Sequence, residues 1–223
     1  MHGAGIQTLQ LQSRKGSELH FSEKDLFGLI VGTSFAAGLN VYATVATLGF
    51  LARAEVVAIP NSLHALESWW VIAISGAMFV IEFFADKIPV FDLIWNALHT
   101  FVRVPVAALL AYQASSQLSP QMQIVAAVVG GTIAFAAHGG KTAARAAVTP
   151  SPEPLSNTAL SVGEDVAAVG LTWFATQHPI MAGAVVAVLV ALVVLFIRSV
   201  VRALKRLLRG AERSWEKLRA TQA

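Results

Sequence analysis

PIMAGAVVAVLVALVVLFIRSVV, residues Pro179 to Val201, carries no ionisable group before Arg198. A run of this length and apolarity reads as a helix crossing a bilayer, which needs roughly 20 apolar residues. Directly after it the pattern turns amphipathic: Val201, Leu204, Leu207 and Leu208 recur at helical spacing among Arg202, Lys205, Arg206 and Arg209. That continuation reads as a helix leaving the membrane and lying along its inner surface, drawn to anionic lipid headgroups.

Five further apolar runs precede this one, at about Asp25–Leu51, Ser68–Phe84, Leu93–Ala114, Met122–Ala137 and Thr158–Thr176. The fold expected is therefore all-α, a polytopic membrane protein of about six transmembrane helices. Residues 1–21 form a polar N-terminal tail, 22–201 the helical membrane domain, and 202–223 a basic amphipathic C-terminal tail. Ser22 with Asp25 reads as a variant capping box opening the first span. Within that span Gly28, Gly32 and Ala36 recur one turn apart, a pattern that lets helices approach closely in lipid. The composition agrees, with 56% hydrophobic residues, 13% charged residues and a mean hydropathy of +0.64.

Threading six spans places fifteen of the sixteen Lys and Arg residues on one side, with Arg53 alone on the other. The positive-inside rule then sets both termini in the cytoplasm, and the expected location is the bacterial inner membrane. The first apolar run starts too far in, and is too long, for a cleaved signal peptide. The net charge of +3 comes mostly from the C-terminal tail. Because that charge abuts an apolar span, it favours lipid over nucleic acid as a partner. The bilayer is thus the expected partner, and a homo-oligomer is compatible with the sequence. There is no cysteine, which excludes disulfides, thiolate metal sites and cysteine nucleophiles.

The informative residues are ionisable groups in or beside the spans. Glu82, Asp86, Lys87, Asn96, His99 and Arg103 fall in the second and third spans and their connection. His138, Lys141, Arg145, Asn157, Glu164 and Asp165 fall in the fourth and fifth spans and theirs. An unpaired charge at membrane depth costs about 3 kcal/mol or more, so each should face the bundle interior with a partner. A shift of 54 residues lays Gly76 on Gly130 and Lys87 on Lys141. A shift of 61 lays Asn96 on Asn157 and Arg103 on Glu164. This suggests two helix–polar loop–helix repeats and a salt bridge between Arg103 and Glu164, with Pro105 kinking one helix and Gly163 allowing close approach in the other. A competing alignment of Phe35-Ala36-Ala37 with Phe135-Ala136-Ala137 implies inverted repeats instead. The two polar loops, 85–92 and 138–154, should dip into the bundle as irregular backbone and form a charged vestibule facing the cytoplasm.

Several chemistries find no support. Gly140-Lys141-Thr142 resembles the end of a phosphate-binding loop, but Phe135 stands where that motif needs Gly. His99 and His138 lack metal-site spacing and read as hydrogen-bonded polar residues. No catalytic set, metal site or cofactor is expected. Trp69, Trp70, Trp95 and Trp173 lie near helix ends, where aromatic belts anchor spans.

Ala37-Gly38-Leu39-Asn40-Val41-Tyr42, Phe84-Ala85-Asp86-Lys87-Ile88-Pro89, Asp92-Leu93-Ile94-Trp95-Asn96 and His138-Gly139-Gly140-Lys141-Thr142 resemble an uncharacterised bacterial membrane family, domain of unknown function 4126. So does Pro154-Leu155-Ser156-Asn157 leading into Ser161-Val162-Gly163-Glu164-Asp165. The resemblance covers about residues 25–200 and implies no established activity. The function expected from the residues is transport or permeation of a small polar, ionic or lipid-headgroup solute. Arg103 and Lys141 would contact an anionic group, and Glu164 or Glu82 would act as counter-charge or proton carrier. The alternatives are an intramembrane enzyme on a lipid-linked substrate, with His99 or His138 as proton donor, and a structural subunit of a membrane complex.

Overall fold

The computed structural model describes the backbone of residues 21–87, 89–148 and 154–222, and side chains at 21–87, 94–145, 158–206 and 209. The expected N-terminal tail, the prolines at 150 and 152, and the side chains of Asp92, Asn157, Leu207 and Leu208 lie outside the described residues. Among those described there are helices and no strands. They are α1 (Glu23–Leu39), α2 (Val41–Arg53), a 3₁₀ helix (Asn61–Glu67), α3 (Trp69–Ala85), α4 (Pro89–Ala114), α5 (Pro120–Val148), α6 (Pro154–Gln177) and α7 (Pro179–Gln222).

The membrane character holds, while the count of six spans is not confirmed among the described residues. Three helices are long and apolar enough to cross a bilayer, Ile94–Ala114, Pro120–Arg145 and Pro179–Arg206. A fourth is made if the 3₁₀ helix and α3, bent by 65°, count as one span. Large apolar side chains remain exposed along them, such as Phe101 at 80% and Trp70 at 78%, and Val188 and Leu192 on α7. A water-soluble protein rarely leaves so much apolar surface uncovered.

The first expected span is two helices. Asn40 interrupts it in an extended conformation (φ −150°, ψ 104°). Its backbone N–H still closes α1 on Ala36, while its side-chain oxygen accepts from the Ala43 amide and so caps α2. α1 is buried on nearly every side, walled by α4, α5, α6 and α7. Its small residues explain this. A Cβ at Gly28 would fall on the Pro179 carbonyl, one at Gly32 on the Ala175 methyl, and one at Gly38 on the Ala134 carbonyl. The packing role expected for Gly28 and Gly32 is borne out. Ser22 also caps α1 as expected, accepting from the Asp25 amide at 3.2 Å.

The break at Asn40 changes the threading. α1 starts beside the α4–α5 turn and the head of α7, a level called end A here: Glu23 and Lys24 line one cavity with Gln117 and Ile180. It finishes at the opposite level, end B, where Lys141 donates to the Leu39 carbonyl. α2 returns the chain toward end A, where Ser62 donates to the Gln113 carbonyl and Ser116 donates to Ser62. α3, α4, α5, α6 and α7 then alternate. The described chain therefore crosses the bundle an odd number of times. Glu23 and the far end of α7 sit at opposite ends of the bundle, and the N-terminal tail expected in the cytoplasm lies outside the described residues.

The polar loops are corrected as well. His138 to Arg145 is helical, the C-terminal part of α5, and Pro89 already opens α4. Gly139 and Gly140 cost helix stability in principle but let α7 come close, since a Cβ at Gly140 would sit 2.9 Å from the Val193 side chain. α4 runs through Pro105 without interruption. Nothing lies within 4 Å of a Cβ built at Gly163, so no close approach occurs there. α7 is a single helix through the basic segment, 44 residues, or about 66 Å at 1.5 Å per residue. The amphipathic segment is thus continuous with the span rather than a separate helix laid on the surface.

Candidate functional site: a buried charged cluster at a helix break

α3, α4, α5 and α6 each deliver charge to one place near end B, and the α1–α2 joint closes it. Glu82 and Arg103 are fully buried and ion-paired. Arg103 also donates to Asn96 Oδ1 at 3.2 Å and to His138 Nδ1 at 2.7 Å. Lys141 Nζ lies 3.5 Å from Glu82, 3.4 Å from Asp86, 3.1 Å from Glu164 and 3.3 Å from the Leu39 carbonyl. Arg145 is 2.7 Å from both Asp86 and Glu164. Ser161 donates to Asp86 at 3.3 Å, and Asn40 Nδ2 donates to Asp165 Oδ1 at 2.8 Å.

The histidine tautomers follow from these partners. A guanidinium only donates, so His138 Nδ1 accepts from Arg103 and the ring proton sits on Nε2, toward Thr100 Oγ1 at 2.7 Å. The Trp95 carbonyl only accepts, so His99 Nδ1 donates to it at 2.8 Å, and Nε2 shares a hydrogen bond with the Tyr42 hydroxyl at 3.0 Å. His138 is neutral, and both rings are fully engaged, as the hydrogen-bonding reading expected. Among the described residues the cluster holds three cations, Arg103, Lys141 and Arg145, against four carboxyl groups, Glu82, Asp86, Glu164 and Asp165.

The sequence-expected residues divide cleanly. Glu82, Asp86, Asn96, Arg103, His138, Lys141, Arg145, Glu164 and Asp165 converge, and His99 joins from one side through Tyr42, which touches α4 from α2. Arg103 is paired with Glu82 rather than Glu164. The two expected partners sit in one network, linked through Lys141. Lys87 is excluded: its ammonium donates to the Phe83 carbonyl at 2.8 Å and lies 3.1 Å from the centroid of that residue's ring. The matched positions Lys87 and Lys141 therefore do different things. Asn157 lies outside the described side chains.

Trp95 stacks on His99 at 4.3 Å between centroids, and Trp69 and Trp70 are exposed at the head of α3. Sequence reasoning missed Asn40, Tyr42 and the Leu39 carbonyl. The signal available was a lone Asn inside an apolar stretch, followed three residues on by the amide it caps. A cavity of about 840 Å³ lies at end A, between α1, α5 and α7, lined by Phe27, Ile30, Met122 and Val125 among others. At end B the described charges are paired with one another, and much of the two loops expected to form a vestibule lies outside the described residues.

A helix broken inside a bundle, with ionisable groups gathered at the break, defines a class of α-helical membrane protein in which irregular backbone faces buried polar groups rather than lipid. The chain belongs to the family described as Domain of unknown function (DUF4126), whose family model matches residues 27–199. No curated protein and no solved structure matches it.

Proposed function

We propose that this chain is a membrane transport protein for a small polar or ionic solute or a lipid headgroup, and that the cluster at the α1–α2 joint is its solute site. The observation that carries the reading is the break at Asn40. The C-terminal carbonyl of α1 and the N-terminus of α2 both open onto buried charges, and such discontinuous helices are how transporters hold ions and anionic groups within the bilayer. Lys141 and Arg145 would contact the anionic group of the solute, displacing Glu164, which is the least buried of their carboxylate partners. The two helix pairs α3–α4 and α5–α6 would be the repeated units.

Orientation follows from charge. Lys87, Arg103, Lys141, Arg145 and the eight basic residues from Arg198 onward lie toward end B, against Lys24 and Arg53 at end A. The positive-inside rule favours end B in the cytoplasm of a bacterial inner membrane, with the C-terminal end of α7 extending inward toward anionic lipid. The absence of native cysteine makes the test clean. Ser22→Cys and His64→Cys should react with an impermeant maleimide from outside, and Lys205→Cys only after permeabilisation. Ser22→Cys and Lys205→Cys reacting from the same side would refute this threading.

Transport itself is tested in proteoliposomes challenged with phosphate, glycerol phosphate and small carboxylates, reading currents on a supported membrane. Native protein and Lys87→Met should respond alike, because Lys87 stands outside the cluster. Lys141→Met should lose response by about tenfold or more while remaining folded, since an intramembrane charge is functional by default. A folded Lys141→Met with native currents, or silence of the native protein to every solute, counts against transport. The second outcome favours a structural role, which the mutual pairing of all three cations supports.

A further inference from the structure

Among the described residues the ion-paired charges of the cluster do not balance. His138 is neutral because its Nδ1 accepts from Arg103, and His99 bonds only to the Trp95 carbonyl and the Tyr42 hydroxyl, which leaves three cations to four carboxyl groups. Three of those groups are paired: Glu82 with Arg103 and Lys141, Asp86 with Lys141 and Arg145, and Glu164 with Lys141 and Arg145. Asp165 makes no ion pair among the described residues, although it is only 5% exposed. Its Oδ1 is held by the Asn40 amide, and its Oδ2 is buried with no hydrogen-bond partner.

We infer that Asp165 is the proton-binding site of the cluster, holding one exchangeable proton on Oδ2 in the state seen here. With that proton the described charges of the cluster balance, which avoids the cost of an uncompensated buried charge. The inference rests on the transport reading for its role and names the coupling ion, but the site itself stands on geometry. The charged groups that act on Asp165 come from two neighbouring helices: Lys141 from α5, and Glu82 and Asp86 from α3 and its cap. Glu164 is its neighbour on α6, and Asn40 faces it from the α1–α2 joint.

Release transfers the Oδ2 proton to water on the end B side and leaves a fourth carboxylate. Lys141 is then drawn toward Asp165 and away from the Leu39 carbonyl that it holds at the end of α1. Asn40 donates to Asp165 through its amide nitrogen and caps α2 through its oxygen. The joint between the two helices therefore feels the charge on this one side chain from both directions, which would link proton occupancy to the geometry of the break.

Infrared spectroscopy of the full-length protein in lipid nanodiscs tests the site without any solute. The native protein at neutral pH should give the C=O stretch of a protonated carboxylic acid, shifted in heavy water. Asp165→Asn should lose that band, and Asp165→Glu should keep a displaced one. Asn is isosteric with the protonated acid and still offers an oxygen to Asn40, so Asp165→Asn should melt at or above the native temperature. Absence of the band from the native protein overturns the assignment, as does its persistence in Asp165→Asn or a failure of Asp165→Asn to fold. Solute currents without the band sink the proton site alone. The band without currents leaves the site standing and sinks transport.

Discussion

Replacing Arg103 by Met is expected to destabilise the folded protein by about 3–5 kcal/mol, the largest loss of any single change in the cluster. The magnitude comes from what is left behind rather than from what is removed. Glu82 is buried to 0% exposure, and its ion pair with Arg103 takes up one oxygen. Without the guanidinium, Glu82 keeps only Lys141, at 3.5 Å and already shared with Asp86 and Glu164. His138 and Asn96 lose their donor at the same time. Glu82→Gln should cost less, because Arg103 keeps its contacts with Asn96 and His138. The double variant Glu82→Gln with Arg103→Met removes both charges and should be more stable than Arg103→Met alone. Unfolding in mixed micelles measures all three, and strictly additive losses would show that the two residues do not depend on each other.

That pairing also marks where the sequence stopped being legible. The identity of the charged residues could be read directly, because ionisable groups in apolar spans must turn inward. Their partners could not. Arg103 lies 14 residues into α4 and Glu82 three from the end of α3. Counting depth from the connecting turn at about 1.5 Å per residue sets them roughly 16 Å apart. Equal depth pointed instead to Glu164. The structure nevertheless brings Glu82 and Arg103 together, which helix length alone does not reveal.

Asn40 was missed for a different reason. Apolar residues on both sides of it made one long span the simpler reading, and hydropathy is blind to a single capping residue. The signal was local: an Asn whose side-chain oxygen can accept from the amide three residues on is a start signal even inside an apolar run. Reading it would have changed the parity of the threading, and with it the end of the bundle at which α1 begins. The basic residues at end B kept their side under either threading, which is why most of the charge asymmetry survives the correction.

Gly38→Ala should be far more damaging than one added methyl suggests. The new Cβ would meet the Ala134 carbonyl oxygen and lie 2.8 Å from the Ala134 Cα, atoms of a helix backbone that no rotamer change can move aside. Relief requires α1 and α5 to separate. Overpacking of this kind costs about 1–3 kcal/mol where neighbours can yield, and here the upper end is expected. α1 is enclosed on all sides, so a shift away from α5 presses it on α6 and α7, where Gly32 and Gly28 leave equally little room. The displacement would also carry Leu39 from Lys141 and Asn40 from Asp165, coupling a packing change to the charged cluster. Gly163→Ala is the counterpart. It lies on α6 beside Glu164, meets nothing within 4 Å, and should gain about 1 kcal/mol of helix propensity. Thermal melts of the two variants in one detergent should therefore move in opposite directions. A Gly38→Ala protein melting at the native temperature would mean that α1 is not held against α5 as described, and the α1–α2 joint would lose its fixed place beside the charges.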